Sequence, residues 1–171
     1  MTSTSPPDAG DRARERARSS ITELVTETAG PEAIREVPFF PGARTTERRP
    51  EPQHGLRAAL QLRDAATGHA RRFIEELRAA GSSWRAVASE VRRDDELNGP
   101  DVEAVFDEFA VQGDMPFDVS WMSWRCDTCG ERVLDYGPAN PHPDDVEHGH
   151  DQDCSRHAAD IATYERTVGN G

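Results

Sequence analysis

At 171 residues the chain has room for one ordinary domain or two small ones, and only 35% of it is hydrophobic and 6% aromatic, below the ~45–50% apolar content of an average globular domain. No apolar run approaches the ~18 residues that a membrane span needs, and the start, MTSTSPPDAGDRARER, has no hydrophobic segment after its charges, so the expectation is a cytoplasmic protein without a signal peptide. The net charge of −12 is unevenly spread: residues 1–93 hold 16 Arg against 13 acids (+3), and residues 94–171 hold 4 Arg against 19 acids (−15), so a phosphate backbone would attract the first part and repel the second.

Residues 1–20 are rich in Ser, Pro, Arg and Asp without apolar periodicity, which predicts a disordered arm carrying Arg12, Arg14, Arg16 and Arg18. A short helix is expected at 21–29, stopped by Gly30 and Pro31. Prolines 31, 38, 41, 50 and 52 then remove backbone donors and disfavour helix at the residues before them, so 1–55 reads as arm plus Pro-rich linker. Phe39 and Phe40 are its one large apolar pair and are expected to pack onto a neighbouring module.

A helical module is expected over 56–114. Leu56, Leu60, Arg63, Ala66, Ala70, Phe73, Ile74 and Leu77 follow the 3.6-residue period up to Gly81. Ser82 or Ser83 then caps a second helix with Trp84, Val87, Ala88 and Val91 on one stripe. After these comes a segment whose apolar face is Val102, Val105, Phe106 and Phe109 and whose other face is Asp101, Glu103, Asp107 and Glu108. Two helices joined by a tight Gly-Ser-Ser turn form a helix-turn-helix scaffold. Arg71, Arg72, Arg78, Arg85, Arg92 and Arg93 are the cations available for phosphate contact; the other reading makes them a solvated face that balances nearby acids.

Residues 115–171 form the third predicted region. Phe117–Arg125 reads as a strand, residues around Val133, Leu134 and Tyr136 as its hairpin partner, and Cys154–Thr167 as a helix burying Ala158, Ile161, Ala162 and Tyr164. All three cysteines and four of six histidines lie in Trp121–His157. Cys126 and Cys129 make a C-x2-C turn, and His150 and Cys154 an H-x3-C pair expected at i, i+4 on one side of a helical turn; together they supply the four sulfur and nitrogen ligands of tetrahedral Zn²⁺. His157 and His148 compete for the His150 position. A redox dithiol would want a helix after the C-x2-C, and here Gly130 and Val133-Leu134 follow. His142, Asp144, Asp145 and Glu147 read as a solvated acidic loop, and four ligands leave no open coordination position, so the zinc is read as structural and no catalysis is expected. The fold class is α+β: a helix-turn-helix-like module followed by a zinc-bound ββα module.

The segment Phe73–Val91, FIEELRAAGSSWRAVASEV, resembles the first two helices of helix-turn-helix regulators common in actinobacteria. Trp124, Cys126, Cys129, Asp135, Gly137, Pro138, Pro143, Asp145, Glu147, Gly149, His150 and Cys154 resemble a C-terminal zinc module of small, largely uncharacterised actinobacterial proteins. The first resemblance implies a DNA-binding transcription regulator. In those families a basic or polar recognition helix follows, whereas here the next helix is acidic. The second expectation is therefore an adaptor or anti-regulator that takes a basic protein partner on Asp101, Glu103, Asp107 and Glu108. Neither reading involves a membrane or a small-molecule substrate.

Overall fold

The computed structural model describes residues 8–91, 101–112, 119–140 and 142–169 and is α+β, with six helices and two small antiparallel sheets among those residues. It divides into two units, 1–66 and 67–171.

In the first unit the expected disorder gives way to a 21-residue helix, α1, Ala9–Ala29. The Asp8 carboxylate caps it by accepting from the Asp11 backbone N–H at 2.7 Å, and Asp11–Arg14 and Glu15–Arg18 pair at i,i+3 spacing. Apolar periodicity is absent from residues 9–20, but Ala, Arg and Glu are strong helix formers, and propensity with capping takes the place of burial there. Only the end of α1 packs: Val25, with Ile21, Leu24 and Ala29, meets Ala33, Ile34 and Ala58 in a small core.

The stretch expected as a linker is instead a hairpin, β1 Ile34–Pro38 and β2 Thr46–Pro50, in antiparallel register from Ile34↔Pro50 to Pro38↔Thr46. Its prolines fall at the two ends of the ladder, where a missing N–H does the least harm. Pro52 opens α2, Pro52–Ala79, at the position where proline's fixed φ suits a helix start. Phe39 and Phe40, expected to be packed, are exposed at 65% and 61%.

The 66/67 boundary falls within α2, which gives Ala58 to the first core and Ile74 and Ala79 to cores of the second unit. Leu56, Leu60, Phe73 and Leu77, expected on the buried face, are exposed. The long side chain inside near the end of α2 is Arg78.

The predicted turn at Gly81 leads to α3, Trp84–Val91, and of the two candidate caps it is Ser83 Oγ that accepts from the Ala86 N–H at 3.2 Å. Then α4, Val102–Phe109, capped by Asp101, turns Val105, Phe106 and Phe109 onto Trp84, Val87 and Ala88. Its exposed residues are Asp101, Glu103, Asp107 and Glu108. Arg92, Arg93 and Phe117 lie outside the described residues.

The expected boundary at 114/115 lies outside the described residues. Val111 and Trp121 exchange backbone hydrogen bonds, and Met122 sits in the helical core. The strands β3 Met122–Arg125, β4 Arg132–Asp135 and β5 Glu147–His148 form a sheet in the order β3-β4-β5. A four-residue helix, α5 Pro143–Val146, precedes β5, and α6, Ser155–Gly169, ends the described chain. In α6, Ala158 and Ala162, expected to be buried, are exposed, and Ile161 and Tyr164 are only half-buried.

Two glycines are required by close approach. A Cβ on Gly137 (φ +83°) would stand 2.6 Å from the Phe106 ring, and one on Gly149 (φ +103°) 2.5 Å from the Arg132 carbonyl oxygen. Gly149→Ala should therefore cost at least about 1–3 kcal/mol from backbone strain alone. Urea unfolding checks this; a loss below half a kcal/mol would mean that the β4 edge yields.

Candidate metal centre

The C-x2-C lies on the turn between β3 and β4. The Cys126 N–H donates to the Glu131 carbonyl at 2.9 Å and the Gly130 N–H to the Cys126 carbonyl at 2.8 Å. With Gly130 at φ +75°, this tight turn aims both sulfurs to one side. The second pair comes from the far side of the sheet. Gly149 carries the chain past β4 to His150, and Cys154 sits immediately before α6, its carbonyl accepting from the Ala158 N–H. His150 and Cys154 thus flank a turn rather than sharing a helical face.

The four predicted ligands, Cys126, Cys129, His150 and Cys154, converge, with their ligand atoms all within 4.8 Å of one another. Cys126 Sγ and Cys154 Sγ are 3.9 Å apart, and Cys129 Sγ and His150 Nδ1 3.7 Å. A tetrahedral ion with ~2.3 Å bonds to sulfur and ~2.0 Å to nitrogen needs edges of roughly 3.5–3.8 Å, so the separations suit a metal ion and are too long for a disulfide. All three cysteines are free. Burial pushes the Cys126 thiol up, but hydrogen bonds from the backbone of Cys129 and Thr128, from the Cys129 side chain and from Arg156 outweigh it and bring the thiol down to about 7. Burial raises the Cys154 thiol, and the neighbouring Cys129 and Cys126 add to that rise.

Behind the ligands lies a buried ionic network that sequence reasoning missed. The Glu147 carboxylate, expected in a solvated loop, is 7% exposed and takes His150 Nε2 at 2.8 Å, Arg156 Nη2 at 3.1 Å and Arg78 Nη2. That contact makes Nε2 the protonated nitrogen of His150 and turns the Nδ1 lone pair toward the sulfurs, the outer-shell arrangement typical of metal-binding histidines. Asp135 is fully buried and accepts from Arg78 Nε at 2.8 Å, Trp84 Nε1 at 3.1 Å, Trp124 Nε1 at 3.3 Å and the Gly137 N–H at 2.9 Å. Arg156 also reaches the Cys126 sulfur at 4.0 Å and lies over the Trp124 ring. Two guanidinium groups and two carboxylates thus balance one another inside the domain. The visible sequence signals for Asp135 and Glu147 were their places beside Gly137 and Gly149.

His157 does not join the four. Its Nε2 contacts Asp144 at 2.8 Å and its ring stacks on His150 at 4.5 Å. Although Glu147, His150 and His157 also converge, the two arginines on Glu147 disfavour a cation there. His148 points away, its ring against Tyr136.

The proposed phosphate contacts fare differently. Arg78, expected at the surface, is buried and paired with Asp135 and Glu147 and cannot reach a phosphate. Arg71 lies 3.6 Å from Glu75, whereas Arg72 and Arg85 are exposed. Among the described residues no helix is long and apolar enough to cross a membrane. No family model, curated protein or solved structure matches the chain.

Proposed function

We propose that the protein is a non-enzymatic, zinc-stabilised binding protein of a reducing cytoplasm. Cys126, Cys129, His150 and Cys154 hold one structural Zn²⁺, and the 67–171 unit acts as an adaptor or anti-regulator for a basic protein surface, such as the DNA-binding face of a transcription factor. Four ligands fill the tetrahedron and leave no place for a substrate water. The observation that carries the choice of partner is the outer face of α4: Asp101, Glu103, Asp107 and Glu108 all stand exposed there, while Val105, Phe106 and Phe109 are buried. Residues 67–171 hold 10 Arg against 22 acids (−12), and residues 1–66 hold 10 against 10, so phosphate repulsion belongs to the unit with the acidic face.

A second reading, association with DNA, is favoured by the α2–turn–α3 arrangement and by exposed Arg72 and Arg85. Binding of the full zinc-loaded chain to genomic DNA fragments and to a panel of basic DNA-binding domains, at low and physiological salt, separates the two. The adaptor reading expects no DNA complex at physiological salt, and a basic-domain complex weakened by Asp107→Arg with Glu108→Arg. A DNA complex that persists, with a salt slope that falls by ~0.9 for each phosphate-binding arginine removed, Arg72→Ala or Arg85→Ala, would replace it with the regulator reading.

A further inference from the structure

The three cysteines of the site differ in exposure: Cys126 and Cys154 are 1% and 3% exposed, while Cys129 is only half-buried. Among sulfurs gathered in one site, access decides which one a reagent in solution reaches first, and access singles out Cys129.

We propose that Cys129 is a modification site: the position at which peroxides and soft electrophiles attack the zinc-loaded protein, with metal release as the consequence. The inference rests on the zinc reading above. In the peroxide reaction the Cys129 thiolate attacks one oxygen of hydrogen peroxide; the O–O bond breaks, hydroxide leaves, and Cys129 becomes a sulfenic acid. The Cys126 thiolate then attacks the Cys129 sulfur and expels a second hydroxide. Two thiolates have lost two electrons to form one disulfide, and one peroxide has gained them to form two hydroxides. Cys126 is the resolving partner because the two residues share the turn from Cys126 to Gly130 and can close without moving α6. The disulfide removes two of four ligands, so the ion is lost and the domain holding the α4 face loosens. Thiol reductant with added zinc reverses the change.

The test uses the wild-type full chain, its zinc content measured first. Sub-stoichiometric N-ethylmaleimide followed by peptide mapping should place at least about five times more label on Cys129 than on Cys126 or Cys154. Hydrogen peroxide, with a colorimetric chelator reporting free zinc, should release zinc in step with a Cys126–Cys129 disulfide seen by mass spectrometry. Equal labelling of the three cysteines, or zinc release with a Cys126–Cys154 disulfide, overturns the inference and leaves the zinc site standing. A purified chain without zinc that takes none up overturns the zinc reading itself.

Discussion

Stripping the ion with a chelator, or replacing a ligand by Cys126→Ser or Cys154→Ser, should unfold the whole 67–171 unit, α3 and α4 included. The sequence alone predicts a smaller effect, confined to the segment after residue 114. The structure enlarges it because Ala79 of α2 shares a core with Trp124, Cys126, Val133 and Cys154, and the Asp127 N–H donates to the Ala79 carbonyl at 3.3 Å. A structural zinc contributes about 10–16 kcal/mol in zinc-finger peptides, comparable with the whole ~5–15 kcal/mol stability of an ordinary domain. Amide hydrogen exchange checks this. Protection at Ile74, Val87 and Val105 should collapse in the stripped protein, and protection kept there would show that the helical core stands by itself.

The second large effect concerns Arg78. Arg78→Met leaves Asp135 and Glu147 as buried carboxylates without their shared cation, a change that costs about 3–5 kcal/mol when one partner of a buried pair is removed. Arg78→Lys should recover only part of the loss, since a lysine ammonium cannot reach Asp135, Glu147 and the Ser82 carbonyl in the fixed fork that the guanidinium provides. Urea unfolding of the two variants gives both numbers, and a loss below about 1 kcal/mol for Arg78→Met would mean that the network is not structural. An arginine that served DNA alone would give the opposite pattern, with weaker binding at unchanged stability.

The residues that converge, Cys126, Cys129, His150 and Cys154, were legible as two local pairs, C-x2-C and H-x3-C, although the second pair flanks a turn and does not share a helical face. The Gly81 turn, the Trp84, Val87 and Ala88 part of the α3 stripe and the two faces of α4 were legible in the same way, while Val91, expected at the end of that stripe, is exposed. Arg78, Asp135, Glu147 and Arg156 were not legible. Their partners lie 57 residues apart for Arg78–Asp135 and 69 for Arg78–Glu147, and a buried ion pair leaves no periodic mark on a chain. An arginine on a helix reads as surface until its acids are seen. The early part of α1 failed differently: it forms on propensity, capping and i,i+3 pairs, while the expectation of disorder weighed missing apolar residues alone. The prolines of the hairpin were misread because their meaning depends on whether a ladder needs the N–H at that place, and at Pro38 and Pro50 it does not.

The two indoles that share Asp135 have an optical consequence. Trp84 and Trp124 both donate to that one carboxylate, and the remaining tryptophan, Trp121, and both tyrosines, Tyr136 and Tyr164, also fall after residue 66. Ultraviolet emission from this chain is therefore a report on the metal-bearing unit, weighted toward the polarity around Asp135. The 1–66 unit, whose only aromatic rings besides His54 are Phe39 and Phe40, is nearly dark at those wavelengths.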